Sequence, residues 1–338
     1  MTVTPPRLDI ASVVRLTELA DYIVPFTLRV VCELRVADQL ADGPRSIDDL
    51  AAATGTHPRA LLRCLRALAS RGIFTEAEPE VFALNALAQP LRGDHPMSLR
   101  DGYPLLAPDI AAWARFDHSL RTGEAAFDRV HGTGYWEYMA EHPDDSARYN
   151  GAQRAAAQLE LRTALTAVPW GSFGTIVDVG GADGVFLAGI LARFTSVRGI
   201  VFDLPHVVEA AERVLAERGV TDRCTAVAGD FFDSVPAGAD AYVLKRILAG
   251  WNDERSGRLL RTVRAAMRPG GRLLIFEPVL RPGDEFEVGK LQDVQLVTMV
   301  GGGGRSLERL SAMLAEAGLR YLRLIPTMMS QILEAEAV

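Results

Sequence analysis

The chain predicts a doubly wound, parallel α/β sheet preceded by a separate helical region, and three observations carry that prediction. From residue 174 onward, short β-branched or apolar runs alternate with amphipathic stretches: TIVDV, GVFLAGILARF, GIVFDL, HVVEAAERVLAERG, CTAVAGD, AYVLK, ERSGRLLRTVRAAM and RLLIFEPV. That alternation is the pattern of parallel strands joined by crossover helices. A glycine-rich turn, Asp178-Val-Gly-Gly-Ala-Asp-Gly184, separates the first strand from its helix, and Asp203 ends the second strand. The residues before 174 instead carry apolar side chains at helical spacing, with 338 residues in all, enough for one large or two medium domains.

The elements follow in order. Residues 11–40 read as helix, broken at Pro25. Ser46 caps a short helix starting near Ile47, which Gly55 ends. Pro58 opens a second helix with an apolar face of Leu61, Leu62, Leu65 and Leu68, stopped by Gly72. Extended segments follow around Ile73–Phe74 and Val81–Leu84, so helix, turn, helix and hairpin together predict a winged helix. Residues 100–165 are again helical, with aromatics at Trp113, Phe116, Phe127, Tyr135, Trp136 and Tyr149. The tail RYLRLIPTMMSQILEAEA reads as two final strands. The expected division is 1–100, a helical linker over 101–165 that contributes to a pocket, and a sheet domain over 166–338.

Composition excludes several classes. The chain is 49% hydrophobic with a formal charge of −7, unlike a disordered or fibrous chain. Cys32, Cys64 and Cys224 are odd in number and widely spaced, which fits a reducing compartment and gives no paired metal-ligand spacing. The start, MTVTPPRLDI, lacks the basic and apolar segments of a leader peptide, and no window holds an uninterrupted membrane span. The first 100 residues carry 11 Arg and no Lys against 12 acids, so the winged helix lacks the charge that nucleic acid requires. A cytoplasmic protein with no membrane or nucleic-acid partner is expected, and a ligand-sensing DNA-binding regulator is the weaker alternative.

The glycine turn is the sharpest chemical signal. Gly180 and Gly181 permit a tight turn and close backbone approach to a ligand, and Gly184 opens a helix whose N–H groups suit an anionic group. No Gly-Lys-Ser/Thr follows, so it is not a P-loop. An acid such as Asp203 at the next strand end takes the two hydroxyls of a ribose. Turn and acid together predict a nucleoside-containing cofactor. Gly229-Asp-Phe-Phe232 closes the third strand, where Asp230 and Phe231 could hold an adenine or simply be a loop acid beside a core ring.

With these motifs in this order, joined by VLKRILAGWNDE, RPGGRLLIFEPVL and GGGGRS, nearly the whole chain resembles the S-adenosylmethionine-dependent small-molecule O-methyltransferases. The likeness is to the plant caffeate and flavonoid type and its bacterial relatives in natural-product and antibiotic biosynthesis. The resemblance implies a Rossmann-like methyltransferase sheet and an N-terminal winged-helix module that makes a homodimer. It also implies a small-molecule acceptor, with S-adenosylhomocysteine as the second product. It places Asp178, Gly180, Gly181, Asp203, Leu204, Asp230, Phe231, Lys245 and Trp251 at the cofactor.

The sequence departs from the family at the catalytic constellation. The family's general base is a histidine four residues after the lysine, followed by Asp-Trp and oriented by two glutamates. Here the segment is Lys245-Arg-Ile-Leu-Ala249-Gly250-Trp251. One orienting acid remains as Glu277, and the other falls at or near Gly304. Glu277, Asp293 and Arg246 are then the candidates to serve the acceptor. His118, His131 and Gln153 lie in the segment that contributes to the pocket in relatives. The acceptor is expected to need no histidine, its O- or C-methylation resting on positioning and its own acidity. The alternative is an enzyme that keeps the cofactor but catalyses hydroxylation, decarboxylation or cyclisation. No histidine–carboxylate spacing near 245–300 suggests a metal.

Overall fold

The computed structural model describes residues 9–327 and 330–338; the first eight residues, on which the leader-peptide expectation partly rests, lie outside the described residues. The chain divides into two compact units, 1–105 and 106–338.

The first unit contains α1 (Ile10–Ala20), α2 (Ile23–Glu33), β1 (Arg45–Ser46), α3 (Ile47–Thr54), α4 (Pro58–Ala69), β2 (Thr75–Glu78) and β3 (Val81–Ala83). The break expected at Pro25 lies at Asp21–Tyr22 instead. The Asp21 carboxylate accepts from the Ile23 N–H at 2.8 Å and starts α2. Pro25 therefore falls in the first turn, where a missing N–H costs nothing. The Ser46 hydroxyl accepts from the Asp49 N–H at 3.2 Å, and Gly55 closes α3 at φ 65°. Leu61, Leu62, Leu65 and Leu68 are buried on one face of α4. The hairpin of β2 and β3 follows, with β1 added antiparallel beside β3. Its first strand begins at Thr75 because Phe74 is left-handed, φ 67°, which turns its ring into the core and breaks the extended run.

The second unit opens with α5 (Ala107–Trp113), α6 (Phe116–Thr122), α7 (Ala126–His131), α8 (Tyr135–Glu141) and the 25-residue α9 (Pro143–Ala167). Then come β4 (Thr175–Val179), α10 (Val185–Arg193), β5 (Arg198–Asp203), α11 (Pro205–Glu217), β6 (Cys224–Ala228), β7 (Ala241–Lys245), α12 (Asp253–Ala266) and β8 (Arg272–Glu277). The chain ends with α13 (Val288–Met299), α14 (Leu307–Glu316), β9 (Leu319–Ile325) and β10 (Gln331–Ala337).

The seven strands lie in the order β6-β5-β4-β7-β8-β10-β9. The first five are parallel, as expected, but β10 runs antiparallel to both β8 and β9, so the sheet is mixed. A connection as short as 326–330 can only turn the chain back on itself, which makes the last pair a hairpin. Near-continuous apolar strands such as β7 and β8 are buried by helices on both faces. Strand order reverses between β4 and β7, so the carboxyl ends of β4, β5 and β7 surround one crevice, where open α/β sheets take their ligands.

Candidate cofactor and acceptor site

Asp178 is the penultimate residue of β4, at that crevice. It is 1% exposed, and neither carboxylate oxygen has a hydrogen-bond partner among the described residues. Burial pushes its pKa up to about 7, with the Lys245 charge opposing and Asp203 and Asp183 adding to the rise. Gly180 follows at φ 71°. The close approach it permits is to the chain itself, since a Cβ there would come within 2.5 Å of the Ile247 side chain. The N–H groups of Gly180 and Gly181 donate to the Phe202 carbonyl at 2.8 and 3.3 Å. At the start of α10, where the N–H groups are expected to suit an anionic group, the Val185 N–H donates to the Asp183 carboxylate at 3.2 Å. The turn is thus a rigid, pre-set loop with an unpartnered acid behind it.

Asp203, at the end of β5, holds this loop. Its two oxygens accept from the Ala182 N–H at 2.8 Å and the Leu204 N–H at 2.7 Å. Each oxygen keeps a lone pair, so diol binding remains available to it. Leu204 is the exposed cap residue of α11. Asp230 is exposed and accepts from the Phe232 N–H at 2.7 Å. Phe231 and Phe232 meet Trp251 edge-on, with ring centres 6.2 and 4.9 Å away. Arg255 lies 4.7 Å over the Trp251 ring. The structure therefore brings the Asp230–Phe232 segment and Trp251 together through their rings.

Lys245 ends β7 with its side chain largely buried, its ammonium 5.7 Å over the Phe186 ring and 4.0 Å from Glu160 Oε2. Arg246 is left-handed at φ 58° and donates from Nε to Glu160 Oε1 at 2.9 Å. It was expected either to meet the acceptor or to sit on the surface; its partner is a carboxylate 1% exposed.

The turn that carries Ala249 and Gly250 packs against the glycine turn that ends at Gly304. Ala249 and Gly250 are buried in a tight turn before Trp251. Gly302 closes onto it so tightly that a Cβ would lie 2.8 Å from the Gly250 carbonyl carbon and 2.9 Å from the Trp251 nitrogen. Glu277, 3% exposed, accepts from the Ala249 N–H at 3.2 Å. Burial lifts its pKa to about 7, opposed by that bond and by the Arg305 and Arg246 charges. Asp293, on α13, accepts from the Gly304 N–H at 2.6 Å. It stabilises the glycine turn where an acceptor contact was expected, because four successive glycines leave backbone N–H groups that need a partner.

Aromatic rings from α7, α8 and α9 wall the far side. Phe127 meets Tyr135 at 4.8 Å, and Trp136 meets Tyr149 at 5.8 Å. Trp136, Gly250, Trp251, Asn252, Arg255 and Gly301 line a cleft of about 140 Å³. Burial drives the Tyr149 phenol up to about 12, against the Arg246 charge. His131 packs on Phe127 at 4.3 Å with Nε2 3.1 Å from the Pro108 carbonyl. His118 faces Glu124 at 3.7 Å. Both histidines are engaged within the helical layer, and Gln153 is half-buried on α9.

Residues 113–320 match the O-methyltransferase domain. The chain belongs to the O-methyltransferase family. Residues 17–92 match the O-methyltransferase dimerisation domain. The phenazine O-methyltransferase of Lysobacter antibioticus is 39% identical over 94% of this chain and 93% of its own length. A solved O-methyltransferase from neocarzinostatin biosynthesis, in complex with S-adenosyl-L-homocysteine and 1,4-dihydroxy-2-naphthoic acid, is 34% identical. It has a TM-score of 0.80 over 96% of this chain and 98% of that one. The aclacinomycin 10-hydroxylase of Streptomyces purpurascens is 30% identical over 90% of this chain and 84% of its own length.

This O-methyltransferase family member is an S-adenosylmethionine-dependent enzyme, and its residues fit that cofactor. The unpartnered Asp178 carboxylate suits a cationic group, Asp203 has free lone pairs, and the aromatic cluster offers a flat ring its face. Two residues of the methyltransferase site escaped sequence reading. Glu160 lies mid-helix with nothing to mark its burial. Arg305 is 8% exposed. It donates to Asp253 at 2.7 Å, to the Leu248 and Trp251 carbonyls at 3.0 and 2.7 Å, and to the Ser256 hydroxyl at 3.0 Å. Its place in GGGGRS was the one available signal.

Proposed function

We propose that this methyltransferase methylates a hydroxyl of an aromatic natural-product intermediate whose proton leaves without a histidine base. The observation that carries the reading is the Ala249–Trp251 turn. It has methyl and hydrogen where the family has imidazole and carboxylate, and Gly302 is packed against its backbone. The aromatic acceptor follows from the wall of Tyr135, Trp136 and Tyr149 and from the aromatic compounds that the named relatives act on or bind.

When bound, S-adenosylmethionine supplies an electrophilic methyl group. Asp178, Gly180, Gly181, Asp203, Leu204, Asp230, Phe231, Lys245 and Trp251 hold it. Asp178 takes a cation, Asp203 the ribose, and Asp230, Phe231 and Trp251 the adenine. Glu277, Asp293 and Arg246 act by position: Glu277 fixes the turn at Ala249, Asp293 fixes the glycine turn, and Arg246 anchors β7 to α9. Orientation contributes up to about 7–11 kcal/mol in well-aligned systems, against about 10²–10⁴-fold for a general base. An acceptor acidified by a neighbouring carbonyl reacts without the base.

The test is incubation with methyl-labelled cofactor and a series of hydroxyarenes of graded acidity. Label in product, with kcat/KM rising as the acceptor's pKa falls, supports the reading. The second reading is a hydroxylation of the kind named for the Streptomyces purpurascens relative, and the missing imidazole favours it. A product that gains an oxygen atom from molecular oxygen and carries no label establishes it in place of the first. Asp203→Ala is expected to remove cofactor binding, and unchanged affinity overturns the ribose assignment.

The chain works as a homodimer through its first unit, a reading supported by the dimerisation-domain match and the exposed apolar side chains of α1. No helix of the described residues is long and apolar enough to cross a membrane. With three free cysteines among those residues, this supports a cytoplasmic location.

A further inference from the structure

Three buried carboxylate oxygens in the crevice are left without hydrogen bonds among the described residues. They are both Asp178 oxygens and Glu160 Oε2, and the Lys245 ammonium, its side chain 14% exposed, lies 4.0 Å from that Glu160 oxygen. Buried charges are costly unless paired, and here one ammonium stands near two carboxylates. Glu160 Oε1 is secured twice, by Arg246 Nε at 2.9 Å and by the Ser330 hydroxyl at 3.2 Å, so the acid itself cannot swing away. Its other oxygen is 4.0 Å from Lys245 Nζ.

We propose that Glu160 is a positioning residue of the cofactor site, holding the Lys245 ammonium off Asp178 so that the Asp178 carboxylate stays open to the cofactor's own ammonium. The Lys245 charge already acts on Asp178, whose two oxygens are open, so without Glu160 an ion pair between them would compete directly with the ligand. The groups that face Asp178 are Lys245 from β7, Asp203 from β5, Asp183 from the loop before α10, and Cys224 from β6. Those facing Glu160 are Lys245, Arg246 and Ser330. Only Lys245 is common to both sets. The inference rests on the assignment of Asp178 to the cofactor.

The assignment has a proton signature. Burial pushes the Asp178 carboxyl up to about 7, so a cation bound against it is expected to expel a proton near pH 7. If Lys245 already occupies Asp178, that carboxyl is ionised beforehand and no proton leaves. Calorimetry of S-adenosylhomocysteine binding in buffers of different ionisation enthalpy measures the number. Glu160→Gln keeps an oxygen for Arg246 and Ser330. It is expected to abolish the release and to weaken binding about tenfold or more, the size of one charge-assisted hydrogen bond. Lys245→Met removes the competing ammonium together with one cofactor contact, so it is expected to weaken binding while keeping or increasing the proton release per ligand bound, which supplies the test should Glu160→Gln not fold. Weakened binding with wild-type proton release in Glu160→Gln means a purely structural role and overturns the proposal, as does reduced release in Lys245→Met. Asp178→Asn is the separate control: unchanged affinity and release there defeat the Asp178 assignment itself.

Discussion

Gly302 and Gly151 make opposite cases for what one methyl group does in this protein. At Gly302 a Cβ meets backbone atoms of Gly250 and Trp251 at 2.8 and 2.9 Å, and neither can rotate away. Gly302→Ala is therefore expected to cost about 1–3 kcal/mol by overpacking. Gly151 lies within α9 with no atom within 4 Å of its added Cβ, so Gly151→Ala is expected to stabilise by up to about 1 kcal/mol. Urea denaturation measures both, and equal shifts at the two sites defeat the packing argument. Asp178 and Glu277 set a pH dependence at the same scale. Both are raised to about 7 from ordinary carboxyl values, so the folded state binds more protons than the unfolded state between about pH 4 and 7. Stability supplied by these two groups falls as pH rises through that window and levels off above it. Acids lowered by arginine partners, such as Asp253, act in the opposite sense and only at lower pH. The melting temperature of the ligand-free protein is expected to drop from pH 5 to 7.5, with Asp178→Asn flattening the slope.

The turn at 248–251 and the glycine turn at 301–304 form one element that sequence periodicity could not show. The motifs were legible: VLKRILAGW and GGGGRS each stood out, and Ala249 and Gly304 were both recognisable as departures. The packing of Gly302 on the Ala249–Trp251 turn was not, because a contact across about fifty residues leaves no local spacing to read. Arg305 makes that contact, with its guanidinium shared among Asp253, the Leu248 and Trp251 carbonyls and Ser256. Removing a buried, fully hydrogen-bonded charge costs about 3–5 kcal/mol when its partners stay behind. Arg305→Ala is expected to show that loss, with faster amide exchange at both turns. Arg305→Lys is expected to recover little, since an ammonium cannot fork to several carbonyls at once. Full recovery in the lysine variant means that charge alone holds the turns together. Pro25 gives the complementary lesson for helices. The sequence rule that proline breaks a helix holds for interiors, while Asp21 set the actual boundary by accepting from Ile23 and placing the proline in the first turn.

For the molecule as a whole, alternation of strands and helices made the parallel part of the sheet legible, and hairpin closure added the antiparallel edge that alternation does not encode. The first unit carries the largest unfinished business. Its helix α1 buries no residue, and Ile10, Val13, Val14, Leu16 and Leu19 are each more than half exposed. Tyr22 and Ile23 extend the patch onto α2. A run of that kind exceeds the scattered apolar exposure of an ordinary monomer surface and marks an interaction face. The family match to a dimerisation domain begins at residue 17, so the residues from Ile10 to Leu16 add apolar surface outside the matched segment. Placing carboxylates in that surface costs association while leaving the unit's own core, built on Leu50, Leu65, Leu68, Phe74 and Phe82, untouched. Leu16→Glu combined with Leu19→Glu is expected to convert a species of twice the chain mass to one of single mass in light scattering. Its far-ultraviolet circular dichroism is expected to stay unchanged, because neither side chain is buried within its own chain. A double variant that remains dimeric would place the interface elsewhere on the first unit and leave α1 without a role in assembly.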